Sequence, residues 1–142
     1  KVIANGMIDK GIDVIYSAAG GSGAGNFAAA VDSAKYGNKV WTIGVDSDQY
    51  LTASAAEKKN MLTSMLKRVD NAVYDVLAAA TAGKKVNDSL GGGAFGRTYG
   101  LKLGGVGVSY SGGYINQYKS KIDAAAKAIT AGKIKVPTTP AK

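Results

Sequence analysis

The sequence predicts an α/β fold built on parallel strands. Ile12–Ala18 is an apolar run of strand length, and it is followed by the glycine-dense turn Gly20–Gly25. A segment of helical periodicity then reaches Gly37, and Val40–Val45 is a second apolar run, followed by Asp46. Strand, helix and strand in this order form a βαβ unit, and ligands of open α/β sheets bind at the carboxyl ends of the strands. We therefore expect a small-molecule site at that edge.

Two helices are predicted beside the first strand. The first is indicated by apolar residues at helical spacing over residues 2–8, and Gly11 is a plausible stop for it. The second is expected to begin at Asn26, a favourable N-cap, and to end at Gly37. Its predicted inner face consists of Phe27, Ala30, Val31 and Ala34.

A third strand and helix are predicted in the middle of the chain. The strand is Met61–Leu66, and it ends at Lys67. The helix is expected to be capped by Asp70, to reach Ala82 and to stop at Gly83. The residues that we expect to face inward on it are Val69, Val73, Val76, Leu77 and Ala80.

The remaining segments give shorter elements. The predictions are a short polar helix or loop at Ala53–Lys59, a glycine loop at Gly91–Gly93, strands at Tyr99–Leu103 and Val106–Tyr110, and a helix at Ile115–Ala131. Gly104 and Gly105 separate the two short strands, as a hairpin or a bend. No apolar run approaches the roughly 20 residues that a membrane-spanning helix needs.

Composition favours a binding protein over an enzyme. The 142 residues include no cysteine and no histidine, and Glu57 is the sole glutamate. The lack of cysteine excludes thiol chemistry. The lack of histidine excludes nucleophile pairs that use histidine and metal sites that use this commonest ligand. We predict no catalytic residue, no metal and no cofactor. The net charge of +8 comes from dispersed lysines with only Arg68 and Arg97 beside them, which indicates a solvated surface rather than a nucleic-acid partner.

The glycine turn admits a dinucleotide-binding interpretation. Gly23–Ala28 fits the pattern G-x-G-x-x-A, and Asp46 follows Gly25 by 21 residues. However, Ala18–Ser22 separates the strand from the pattern, whereas glycines of this fingerprint follow the strand directly. A glycine turn needed only for tight packing of strand against helix explains the same residues.

Several runs of residues also resemble a known family. In chain order they are GIDVIYSAAGGSGAGNFAAA, VWTIGVDSDQY, MLTSMLKRVDNAVYDVL, GLKLGGVGVSY and a helix ending in AGKIKVP. This order and spacing resemble the basic membrane protein family, nucleoside-binding lipoproteins that act as substrate-binding components of ABC importers. The resemblance covers nearly the whole chain but not the amino-terminal half of the family. We therefore expect this chain to be the carboxyl-terminal half of a longer protein, with the lipid anchor in the missing half.

The resemblance implies a type I periplasmic-binding-protein fold, in which two lobes of parallel sheets flanked by helices close over a ligand. On that pattern, residues 1–50 belong to the second lobe, residues 51–105 cross into the first lobe, and residues 106–142 return to the second lobe and form the tail. The implied partners are a nucleoside, an ABC permease and the missing half of the same protein. The implied location is extracytoplasmic, on the bacterial cell membrane.

The resemblance also suggests roles for residues that stand out chemically. Asp46 ends a strand, and a carboxylate suits the vicinal hydroxyls of a ribose. Lys67 closes an apolar run and resembles a cleft lysine of the family. Tyr16 stands late in its strand, where the family has an aromatic residue that stacks on the base. A turn aspartate, a solvated strand end and a core tyrosine are the simpler interpretations of these three.

The other positions in the same region have weaker roles. Gly20 and Gly21 would let the backbone approach the ligand. Asp48 and Gln49 belong to the motif GVDSDQ, but we expect neither to contact ligand directly. The function predicted is capture of a nucleoside, with a purine favoured. The alternatives are a Rossmann-type dinucleotide-binding domain of an oxidoreductase and a sugar-binding protein of the same fold.

Overall fold

The computed structural model describes residues 1–85 and 96–139 of the chain. The residues divide into two units: unit 1 consists of Lys1–Lys67 with Gly107–Asn116, and unit 2 consists of Arg68–Val106 with Gln117–Lys142. The glycine loop predicted at Gly91–Gly93 lies outside the described residues.

A four-stranded sheet confirms the predicted α/β class. Its strands are β1 (Val14–Tyr16), β2 (Trp41–Asp46), β3 (Met61–Lys67) and β4 (Val106–Val108), and they lie in that order across the sheet. β1 pairs with β2 and β2 with β3, both in parallel. The strand ends of β2 and β3 are therefore neighbours at one edge.

Three helices of unit 1 accompany the sheet: α1 (Val2–Ile8), α2 (Gly23–Lys35) and the short α3 (Ala55–Lys58). Apolar residues from α1, α2, β1 and the position just before β2 form one buried cluster, which consists of Ala4, Ile8, Ile15, Ala29, Ala30 and Val40. In α2, Phe27 and Ala30 are buried as predicted, whereas Ala34 is exposed.

Unit 2 contains α4 (Val69–Thr81) and α5 (Lys119–Thr130). The inward apolar face predicted for α4 is wrong for this chain: Val69, Val73 and Leu77 are 53%, 51% and 59% exposed. Val76 and Ala80 are exposed as well, and Ala79 is the buried residue of the helix. Periodicity identified an apolar stripe, but it could not show which surface, if any, covers that stripe.

Two of the predicted helix caps are wrong. The helix α2 begins at Gly23 rather than after Asn26, and the Asn26 amide instead donates to Ser17 Oγ at 2.8 Å. The helix α4 begins at Val69, so Asp70 lies in its first turn, where Arg68 binds the carboxylate through two nitrogens. Both helices begin before the predicted caps, so Asn26 and Asp70 lie inside the first turns and their side chains bind Ser17 and Arg68 instead.

Several predicted boundaries also differ. The strand expected over Ile12–Ala18 is limited to β1. Leu101–Leu103 is a 3-10 turn instead of part of a strand, and Gly104 follows it with a φ of 62°. The strand expected at Val106–Tyr110 ends at Val108, and α5 starts only after the 3-10 turn Asn116–Tyr118. Among the described residues, every helix is too short or too polar to cross a bilayer.

Candidate functional site

Asp46 and Lys67 meet at the carboxyl ends of neighbouring strands. In the parallel register of β2 and β3, Asp46 lies opposite Leu66, so that Lys67 is one residue further along β3. Its Nζ lies 2.6 Å from Oδ1 of Asp46. The Lys67 side chain is 57% exposed and that of Asp46 is 44% exposed. The pair is therefore within reach of a ligand, with one group that accepts hydrogen bonds and one that donates them.

The backbone at Asp46 adopts an unusual conformation. Its φ is 73°, and it is the one non-glycine residue with a positive φ in the described part of the chain. The Ser47 N–H donates to the Val45 carbonyl at 3.0 Å, which closes a three-residue turn around Asp46. A γ-turn with positive φ is the rare and strained form. Such strain concentrates at functional sites, where the surroundings hold it in place.

Tyr16 lies on an apolar surface of the sheet. It pairs with Ile43 in the register of β1 and β2, three residues before Asp46, which corresponds to about 10 Å along the strand. Its side chain is 50% exposed, so it is not a core tyrosine. A cavity of about 230 Å³ is lined by Tyr16, Ile43, Thr63, Ser64, Met65 and Val108. An aromatic ring at an apolar cavity suits a flat, weakly polar group of a ligand.

Gly20 and Gly21 lie in the 3-10 turn Gly20–Ser22 that precedes α2. Gly20 has a φ of 51°, which favours glycine. A Cβ added at either position would meet no heavy atom within 4 Å, so both face open space. No atom of Asp46 or Lys67 therefore lies within 4 Å of such a Cβ.

The glycines of the dinucleotide-like pattern serve packing. Gly23 and Gly25 lie inside α2, and a Cβ added at Gly23 would approach Ser17 Cβ to 3.3 Å. At Gly25 an added Cβ would lie 2.6 Å from the backbone nitrogen of Lys1. Close approach of other protein segments therefore explains both glycines, as the packing interpretation of the turn requires.

Sequence reasoning gave no role to the polar residues that surround the end of β2. Gln49 Oε1 accepts the Val45 N–H at 2.8 Å, and the Gln49 N–H donates to Ser64 Oγ at 3.2 Å. The Ser111 hydroxyl donates to Asp48 Oδ2. Asp48 Oδ1 is buried without a hydrogen-bond partner among the described residues. The signal in the sequence was the motif GVDSDQ itself.

The candidate site combines charged groups with an apolar cavity. Among residues 1–85 and 96–139, no three side chains of the metal-ligating types come close enough to hold an ion. A carboxylate, an ammonium group and an apolar cavity beside an aromatic ring are present instead. Groups of these kinds are suited to a small polar ligand that also has an apolar part.

Comparison with known proteins gives a consistent result. A family model described as "Bmp: ABC transporter substrate-binding protein PnrA-like" matches residues 1–140. The chain is 40% identical over 146 residues to a CD4+ T-cell-stimulating antigen of Listeria monocytogenes, which covers 97% of this chain and 39% of the relative. It is 39% identical over 149 residues to the ABC transporter nucleoside-binding protein BmpA of Lactococcus lactis, with 97% and 40% covered.

A solved structure supports the fold. An ABC transporter system solute-binding protein from Conexibacter woesei superposes with a TM-score of 0.61 at 23% identity, over 94% of this chain and 40% of that one. The chain thus spans about two fifths of the length of the proteins that it matches.

Proposed function

We propose that this chain, which belongs to the PnrA-like family of ABC transporter substrate-binding proteins, supplies ligand contacts in a protein that captures a nucleoside for import. The resemblance predicted from the residue runs is confirmed by the family match over residues 1–140. The family is one of substrate-binding proteins, so no chemical step is assigned to this chain. Because the chain belongs to this family, we do not interpret it as the dinucleotide-binding domain of an oxidoreductase.

The pair of Asp46 and Lys67 carries the proposal. We assign the Asp46 carboxylate to the vicinal hydroxyls of the ribose, because one carboxylate accepts two hydrogen bonds. Lys67 donates to the sugar or the base. Hydrogen bonds to charged groups contribute about 1.5–3 kcal/mol each, enough to dominate recognition of a ligand of this size.

Tyr16 and its apolar cavity favour a nucleoside over a free sugar. A sugar would use the charged pair but would leave the cavity beside Ile43, Met65 and Val108 without an apolar occupant. A nucleobase stacked on Tyr16 would gain about 1–3 kcal/mol. Gly20 and Gly21 face open space, which is compatible with close approach of a ligand to their backbone.

The proposal also covers the rest of the protein, its location and its transport partner. Because the chain spans two fifths of its relatives, the remaining contacts to the ligand would come from the rest of a longer protein. We propose an extracytoplasmic protein that is held at the membrane by an amino-terminal lipid and delivers its ligand to an ABC permease. The assignment of residues 1–50, 51–105 and 106–142 to lobe segments stays a prediction.

Calorimetry tests the proposal on the protein made at the full length of its relatives. Guanosine, adenosine, uridine, ribose and a nicotinamide dinucleotide are titrated in turn. We expect nucleosides to bind more tightly than ribose, and we expect Asp46→Asn to weaken binding about 10- to 100-fold. Asp123→Asn is the matched control, since Asp123 is an exposed, ion-paired aspartate on α5. Binding of ribose alone would favour a sugar-binding protein.

A further inference from the structure

The positive φ of Asp46 must be held in place by contacts with neighbouring residues. A strained turn with positive φ persists only where its surroundings over-determine it. The hydrogen bond from Ser47 to Val45 closes the turn, and the pairing of Asp46 with Leu66 joins this end of β2 to β3. The contacts of Gln49 supply the additional restraint.

Gln49 ties the turn to two strands at once. Its side-chain oxygen accepts the N–H of Val45, the residue immediately before Asp46, at 2.8 Å. Its own backbone N–H donates at 3.2 Å to the hydroxyl of Ser64, which is completely buried on β3. Gln49 is itself fixed by a 3-10 turn, in which its carbonyl accepts the N–H groups of Thr52 and Ala53. The restraint therefore runs from β3 through Gln49 to the residue that precedes Asp46.

Gly44 makes room for this arrangement. A Cβ added at Gly44 would lie 2.5 Å from Gln49 Oε1 and 2.7 Å from Ser64 Oγ. Any side chain at this position would displace the Gln49 amide from the Val45 N–H. The φ of Gly44 is not positive, so the need for glycine here is one of space and not of backbone conformation. We call Gly44, Gln49 and Ser64 the Gln49 clamp.

We propose that Gln49 is a positioning residue for the ligand site: the Gln49 clamp holds the strained turn in which the Asp46 carboxylate meets Lys67. Gln49 acts through Asp46 and does not touch the ligand. The effect on affinity rests on the function proposed above, whereas the effect on the Asp46 backbone does not. The two can therefore be measured separately.

The experiment compares Gln49→Met with Gln117→Met in the protein made at the full length of its relatives. Methionine keeps the length of the side chain but removes the acceptor, and Gln117 is an exposed glutamine in a 3-10 turn. A positive φ places the amide proton of Asp46 close to its own Hα, and NMR detects this as a strong intraresidue NOE cross-peak. We expect Gln49→Met to lose that signature and Gln117→Met to retain it. A signature that survives Gln49→Met would overturn the proposal.

A double-mutant cycle tests the route of action with guanosine as the probe. We expect Gln49→Met to weaken binding about tenfold in the unmodified protein and less than about twofold in the Asp46→Asn background. Equal losses in both backgrounds would mean that Gln49 does not act through Asp46. Gly44→Ala is the second variant if Gln49→Met unfolds, and it should reproduce the coupling. If the unmodified protein bound no nucleoside, the proposed function would fail, and the NMR comparison alone would decide the role of Gln49.

Discussion

Lys67 Nζ lies 2.6 Å from Asp46 Oδ1, although the two residues are separated by a turn, a short helix and a strand. The parallel pairing of β2 with β3 brings them together. Both side chains are about half exposed, so water screens their attraction and the pair contributes little to folding. This exposure leaves both groups available to the ligand proposed above.

Replacement of Lys67 by methionine should separate binding from stability. We expect Lys67→Met to weaken nucleoside binding about 10- to 100-fold, because one charge-assisted hydrogen bond is lost. The free energy of unfolding should change by less than about 1 kcal/mol, as for other exposed ion pairs. Lys10→Met, at an exposed lysine beyond α1, is the control. Calorimetry and urea unfolding measure the two effects, and equal affinity in both variants would refute the role of Lys67.

The positive φ of Asp46 predicts a difference in stability between two variants of this residue. Asp46→Gly and Asp46→Ala both remove the carboxylate, so both should lose ligand affinity to the same extent. Glycine adopts a positive φ without strain, whereas alanine does not. We expect Asp46→Gly to be more stable than Asp46→Ala by about 1 kcal/mol in urea unfolding. The reverse order of stability would contradict the conformation described here.

Asp32 on α2 gives a prediction about pH. Hydrogen bonds from the Lys1 and Lys35 ammonium groups lower the pKa of the Asp32 carboxyl from 3.8 to about 2. A carboxyl with a lowered pKa in the folded state stabilises the fold above its unfolded pKa, and this contribution disappears as the pH falls through the folded pKa. The difference in unfolding free energy between the unmodified chain and Asp32→Asn should therefore be constant above about pH 5, fall as the pH is lowered, and vanish only below pH 2.

Two comparisons check the origin of this effect. Lys35→Met should reduce the pH dependence, because one of the two ammonium partners is removed. High salt should reduce it in the unmodified chain, since Asp32 and Lys35 are exposed enough to be screened. A difference between the unmodified chain and Asp32→Asn that persisted unchanged below pH 2 would show that the carboxylate charge is not responsible.

The apolar face of α4 predicts the behaviour of the 142-residue chain by itself. Val69, Val73, Val76 and Leu77 are all exposed, and a continuous apolar patch favours association. We expect the chain to self-associate in sedimentation velocity, and the double variant Val73→Glu, Leu77→Lys to sediment as a smaller species. Both positions are more than half exposed, so unfolding free energy should change by about 0.5 kcal/mol or less. Val136→Glu in the tail is the control, and a monomeric unmodified chain would contradict the prediction.

The sequence by itself determined the fold class and the family. The apolar β-branched runs, the helical periodicities and the glycine stops predicted parallel strands with helices between them, and the sheet is built in that way. These signals are local, because hydrophobic period and turn residues act over a few positions of the chain. Helix caps were predicted less well, since the helices begin at Gly23 and Val69, before Asn26 and Asp70, and these side chains bind Ser17 and Arg68 instead.

Only the tertiary structure decided how the candidate site is assembled. Asp46 and Lys67 each stood out in the sequence, but nothing local fixed their 2.6 Å contact, which depends on the order and register of the strands. The role of Gln49 was missed for the same reason, because its amide acts on Val45 only when β2, the following turn and Ser64 come together. Periodicity likewise marked the apolar face of α4 but not its exposure. A chain records which residues can be buried or bonded, whereas packing in three dimensions selects which of those contacts form.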